Sequence, residues 1–281
     1  MEIARRTFLK SAGALGLLAL IPQRALSAVF ASAPAPGHAG RFLNAHELDT
    51  LRAVCGRFIP GPPEDPDPGA AEAMVPEAID MLLGAFTFDP PLIHAGAPYS
   101  NRPPPNGHDS FADFVPLDRH AELGWRIRIE GTKGIKAREF AGPVVGLQQI
   151  YRSGIAHLDA RAAPAKFVDL PAPLQDVILA DLTDSDVQTF VGAALANTFE
   201  AMYGPPEYGG NKGLAGWKYT NWPGDVQPAG YTNDQVSKPD PGGTRLSVAS
   251  AKAIEKFLPA LGGRAAPRDA WWLGRASIVR S

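Results

Sequence analysis

Apolar side chains recur at helical steps between residues 43 and 59, where Leu48, Leu51, Val54, Cys55, Phe58 and Ile59 form one stripe. Asn44 and Glu47 have the spacing of a reciprocal N-terminal cap, Leu43 and Leu48 stand where a hydrophobic staple would, and Pro60-Gly61 stops the run. On this stripe Cys55 faces inward as a small buried hydrophobe rather than a reactive thiol. A second helix is expected with Pro76 in its first turn and Val75, Ile79, Leu82, Leu83 and Phe86 on its apolar face. Two more are expected over Leu117 to Ile129 and Pro143 to Ala160. Pro173 then opens a helix reaching Leu182, and Asp184 caps the longest, whose stripe is Val187, Phe190, Val191, Ala194, Leu195, Thr198 and Met202. A last helix is expected from Ser247 to Leu258. No stretch alternates as a half-buried strand does, so the pattern predicts an all-α fold, a single irregular helical domain with long Pro/Gly-rich loops.

Composition explains those loops. Of 281 residues 29 are glycine and 28 proline, about twice the usual ~5% of proline. Residues 61–69 read as a rigid acidic loop and residues 89–107 as a long surface loop. With 27 basic against 29 acidic residues the net charge is -2, which gives no reason to expect nucleic acid as a partner. A single cysteine excludes an intrachain disulfide, a multi-thiolate zinc site and a Cys-x-x-Cys-His haem attachment.

The first 33 residues read as an address. Arg5-Arg6-Thr7-Phe8-Leu9-Lys10 precede an apolar run from Ala12 to Ile21, too short for an ordinary span, and then Pro22, Arg24 and small residues with cleavage sites after Ser27 or Ala33. Arg5, Arg6, Phe8, Leu9 and Lys10 thus form the core of a twin-arginine export signal, and a periplasmic location is expected. The domain division expected is 1–33 signal, 34–231 helical domain, and 232–281 a C-terminal extension packed on the domain or on a partner.

Candidate chemistry concentrates between residues 204 and 231, where Tyr208, Trp217, Tyr219, Trp222 and Tyr231 are interleaved with glycines. Such a loop is either a compact, self-packed structure or an aromatic contact surface, and the residues alone leave both open. Histidines 38, 46, 94, 108, 120 and 157 have carboxylates nearby at Glu47, Asp109, Glu122 and Asp159, but none has His-x-x-x-His spacing, and His157 reads as a hydrogen-bonded helix residue. Ser110 and Ser153 lack a nucleophile-elbow context.

The runs Pro206-Glu207-Tyr208-Gly209-Gly210-Asn211, Gly216-Trp217-Lys218 and Trp222-Pro223-Gly224 resemble the hallmark of the gluconate 2-dehydrogenase subunit 3 family. Arg57-Phe58-Ile59-Pro60, Pro68-Gly69-Ala70, Ile79-Asp80, the run Tyr151 to Asp159, Leu170-Pro171 and Gln175-Asp176 extend the likeness over about residues 43–231. Lys212-Gly213 stand where the family commonly has an acidic residue, and Asn221-Trp222 also depart from its pattern. The resemblance implies a noncatalytic small subunit that binds an FAD-containing large subunit of the glucose-methanol-choline type, with haem in a possible cytochrome c subunit, and that uses the twin-arginine translocase to export the flavoprotein. It implies no catalytic residue, cofactor or metal in this chain, consistent with a sequence that carries no dinucleotide fingerprint and no P-loop. Tyr208, Gly209, Gly210, Asn211, Trp217, Tyr219 and Trp222 become the candidate partner-binding residues. Two other readings stand beside it: a stand-alone periplasmic metal-dependent enzyme, and a carbohydrate-binding module that stacks sugars on the 204–231 loop.

Overall fold

The computed structural model describes residues 39–89, 91, 93, 117–181, 183–206, 209–220, 222, 237 and 248–261. Among them are eight α-helices, five short 3-10 turns and no strand, the all-α class expected from the sequence. The helices are α1 (Ala45–Phe58), α2 (Val75–Leu83), α3 (Arg119–Glu130), α4 (Leu147–Ala162), α5 (Ala172–Leu179), α6 (Ser185–Tyr203), α7 (Ala215–Tyr219) and α8 (Val248–Phe257).

Local chemistry sets the helix starts. Asn44 Oδ1 accepts from the Glu47 N–H at 2.9 Å while Glu47 Oε2 accepts from the Asn44 N–H at 2.8 Å, so α1 begins with both halves of the reciprocal cap. Asp118 accepts from the His120 and Ala121 N–H groups to start α3, and Asp184 accepts from Asp186 and Val187 to start α6. Each carboxylate also meets the positive end of its helix.

α6 runs through the centre, with Val187, Phe190, Val191, Ala194, Leu195, Thr198 and Met202 buried as the sequence pattern requires. α4 crosses it so closely that a Cβ added to Gly154 would lie 2.4 Å from the Phe190 ring, and Tyr151 meets that ring edge-on with centroids 5.6 Å apart. α2 buries every residue but Leu82. Its Asp80 carboxylate accepts from the backbone N–H groups of Arg41, Phe42 (3.1 Å) and Leu43 (2.8 Å), which folds the chain before α1 onto α2. α8 closes the core from the other side, with Phe257 edge-on to Phe58 at 5.0 Å.

Several boundaries differ from the expected ones. α2 ends at Leu83, and Phe86 falls in a 3-10 turn over Ala85–Thr87. α4 starts at Leu147 rather than Pro143, because Gly146 packs on Gly131 in extended conformation and cannot join a helix there. α5 ends at Leu179, short of the expected Leu182, itself outside the described residues. α7 lies inside what reads in sequence as an irregular loop. Of the expected surface loop 89–107, Ile93 is 3% exposed and packs with Ala85 and Ile129 in a second, smaller cluster beside α3, so this residue is core rather than surface. Residues 94–107 lie outside the described residues, as do the signal residues Arg5, Arg6, Phe8, Leu9 and Lys10 and the tail after residue 261.

Candidate functional site

The segment after α6 turns back on the helix it leaves. A helix ends with carbonyls that lack partners, and here side chains from the following loop supply them. The Trp217 indole N–H donates to the Tyr203 carbonyl at 2.8 Å, and Asn211 Nδ2 donates to the Gly204 carbonyl at 2.9 Å. Asn211 Oδ1 accepts from the Gly216 N–H at 2.8 Å, so one amide clamps both ends of the turn. Asn211 is fully buried in the left-handed region at φ 51, a conformation asparagine tolerates better than most residues. The Lys212 N–H donates to the Ala73 carbonyl and ties the turn to the segment preceding α2.

The glycines are dictated by the same approach. A Cβ on Gly210 would sit 2.2 Å from the Ala201 carbonyl oxygen, and one on Gly216 would sit 2.0 Å from that of Met202. Burial, with Tyr219 and Asp65 adding to it, pushes the Tyr203 phenol above its ordinary range. Of the candidate partner-binding residues, Gly209, Gly210, Asn211 and Trp217 are therefore buried within the chain, Tyr219 is half-buried, and Trp222 is 45% exposed. Tyr208 lies outside the described residues. Between the two readings left open by the sequence, Asn211 and Trp217 take the self-packed one, and Trp222 is the large aromatic turned outward.

The remaining landmarks also hold one another. Arg57 on α1 forms a two-pronged pair with Asp176 on α5 (2.8 and 3.2 Å), and Lys256 on α8 reaches the same carboxylate at 2.6 Å. Burial opposes ionisation of Asp176, but Arg57 and Lys256 outweigh it and hold its carboxyl below the usual range. Gln175 donates to the Phe167 carbonyl, and Asp159 accepts from the Phe167 N–H at 3.0 Å, from Lys166 at 3.2 Å and from His46 Nε2 at 2.6 Å. These bonds hold the Asp159 carboxyl low against the cost of its burial. Asn197 Nδ2 donates to the buried Tyr151 hydroxyl at 3.1 Å.

The groups that could do chemistry are engaged in the same way. His157 Nε2 lies 2.8 Å from Asp184, as expected of a hydrogen-bonded helix residue, and with Asp186 these side chains form the group of metal-capable ligands found among the described residues. Asp184 Oδ2 also accepts from Arg161 at 2.6 Å, so its charge is already shared with a guanidinium, and Oδ1 caps α6. The His157 hydrogen bond, the Val187 N–H and Arg161 together hold Asp184 well below the usual carboxylate range. Ser153 donates to the Gln149 carbonyl of its own helix at 2.6 Å. Cys55 is fully buried, and that burial pushes its thiol up to about 12 despite a contact with Thr198 at 3.4 Å. His38, His94, His108 and Ser110 lie outside the described residues. An open depression of about 500 Å3 lies between Arg57, Asp176 and Lys256 on one side and Pro173 and Val177 on the other, its charges already paired.

Sequence reasoning missed Asn197 and had Asp80 only as part of the Ile79-Asp80 landmark; the roles of both appear once distant backbone or hydroxyl partners are in place. It also missed the Gly131–Gly146 crossing, which leaves Ile135, Phe140, Val144 and Val145 at the surface.

These features define an all-α domain whose signature residues hold one another in place. Residues 45–224 match the family model for gluconate 2-dehydrogenase subunit 3, and the chain belongs to that family. Neither a curated protein nor a solved structure matches it. Membership implies a place in a multi-subunit dehydrogenase.

Proposed function

We propose that this chain is the noncatalytic small subunit of a periplasmic FAD-dependent dehydrogenase acting on a sugar or alcohol, and that it escorts the flavoprotein subunit through maturation and export. The observation that carries this reading is that the family's landmark side chains are consumed in internal contacts: Arg57 with Asp176, Asp159 with His46 and the Phe167 N–H, Asn211 and Trp217 with the end of α6. A chain whose most characteristic residues maintain its shape offers that shape to a partner. FAD and substrate belong to the large subunit, of the glucose-methanol-choline type, and a cytochrome c subunit receives the electrons. The Arg5-Arg6 signal provides the address for the assembled pair at the twin-arginine translocase, and binding only the folded partner stabilises that partner by mass action.

Affinity purification of the tagged full chain from its host tests the reading. A yellow complex containing an FAD-bearing oxidoreductase is expected, whereas a colourless single chain overturns it. Replacing Arg5 and Arg6 with lysines is expected to strand both subunits in the cytoplasm; a flavoprotein that still reaches the periplasm refutes the escort role.

A further inference from the structure

The connection between α3 and α4, residues 131–146, is built to hold a shape. Its ends are pinched together: a Cβ on Gly131 would lie 2.7 Å from the Gly146 nitrogen, and one on Gly146 would lie 2.2 Å from the Gly131 nitrogen. Gly131 has φ 82, which a side chain would oppose in any case. Above this crossing the Thr132 N–H donates to the Val144 carbonyl at 3.0 Å, and the Val144 N–H donates to Thr132 Oγ1 at 3.1 Å. Arg138 reaches back from the middle of the loop to Glu130 at 2.9 Å and to the Gly131 carbonyl at 3.3 Å. Turn bonds from Ile135 to Thr132, Arg138 to Ile135 and Gly142 to Glu139 brace the remainder. Closed ends and an internally bonded backbone make this an Ω-loop.

What it displays is apolar. Phe140 is 78% exposed, Val145 57%, Ile135 43% and Val144 42%, four of the eight large exposed hydrophobic side chains among the described residues. Isolated exposed apolar residues are ordinary, but half of the large ones among the described residues fall on this one braced loop, a concentration of the kind expected at an interaction site. Around them Lys133 and Lys136 are exposed and make no ion pair among the described residues, while Glu139 is half-buried.

We infer that the 131–146 loop is the surface that docks on the large subunit, received by an apolar socket with carboxylates at its rim. This rests on the subunit reading above. Bracing before binding reduces the entropy lost on association, which favours a shaped protein socket. An anionic bilayer is disfavoured because two exposed lysines, with Arg138 paired to Glu130, fall short of the basic clusters that bind anionic lipid. A two-fold pairing of this loop with a second copy would set Lys133 and Lys136 against the same lysines.

The test compares the tagged full chain with its Phe140→Ser/Val145→Ser variant, each co-expressed with the flavoprotein, and reads retained flavin and the dissociation constant. The variant is expected to bind at least ~30-fold more weakly, the scale of losing an interface hot spot, with an undiminished melting temperature for the isolated chain. A control, Leu174→Ser/Val177→Ser on the exposed face of α5, is expected to bind normally. Hydrogen exchange on the wild-type complex gives a second readout independent of any variant, with amides 132–145 slowed on binding. Variant affinity within about threefold of wild type, or unprotected amides in a yellow wild-type complex, overturns this inference and leaves the subunit reading standing; a colourless wild type overturns both. Loss in the variant only of self-association, or of binding to phosphatidylglycerol vesicles, with flavoprotein binding intact, also overturns it.

Discussion

Replacing Asn211 with alanine removes a clamp whose cost can be worked out from its contacts. The Gly216 N–H, on a buried residue, loses its acceptor and the half-buried Gly204 carbonyl loses a donor. An unpaired buried group costs about 1–3 kcal/mol, with the carbonyl at the lower end because water reaches it. Holding alanine at φ 51 costs about 1 kcal/mol more. The sum, about 3–5 kcal/mol, corresponds to a melting temperature lowered by about 5–9 °C for a chain of this size. Thermal melts of the isolated full chain followed by circular dichroism measure it. Asn211→Gly separates the two contributions, since it loses the same bonds without the backbone strain and is expected to melt a few degrees above the alanine variant. A fall below ~2 °C for Asn211→Ala refutes the reasoning. If that variant melted normally yet lost the flavoprotein, Asn211 would be a contact residue instead of a clamp.

Gly154→Ala is expected to destabilise the chain by about 1–3 kcal/mol, because the new methyl meets Phe190 at 2.4 Å and that ring is held by Tyr151. Pairing it with Phe190→Leu should recover part of the loss in melting temperature, and simple additivity would contradict the close crossing. Acid is expected to unfold the chain through its paired aspartates. Asp159 and Asp176 have carboxyls held below their unfolded values, so their stabilisation is complete above about pH 4 and is lost as the pH falls through their lowered folded values. Urea midpoints measured from pH 6 down to about pH 3 should drop at the acid end, and Asp176→Asn should flatten that drop; an unchanged slope would show that the Arg57–Asp176–Lys256 pairing contributes nothing.

Where signals were local, they were legible in the sequence. Asn44 and Glu47 mark the start of α1 because both partners of the cap lie within one turn, and Asp184 marks α6 for the same reason. The failures came where a long-range contact decided the outcome. Pro143-Val144-Val145 continue the apolar stripe of α4, yet Val144 and Val145 are exposed, because Gly146 must lie flat against Gly131, fifteen positions earlier. α7 has five residues, too few for a period to show. At the candidate site the aromatic spacing identified the segment but not its direction. Trp217 turns inward because α6 ends on a carbonyl that needs a donor, and only the position of that carbonyl shows it. Asn211 following two glycines was the available hint, since asparagine is favoured where the backbone turns left-handed.

The closure of α1 by α8 sets a timetable for biosynthesis. Phe58 is covered by Phe257, and Asp65 accepts from Ser250 at a sequence separation of 185 residues. At translation rates of about 5–20 residues per second, the first helix waits about 10–40 s for its lid. During that interval Phe58 lacks its cover, the kind of exposed apolar surface that holdase chaperones and proteases recognise. Completion of α8 ends that exposure, so the first helix of the fold becomes fully packed only after nearly all of the described chain has been made.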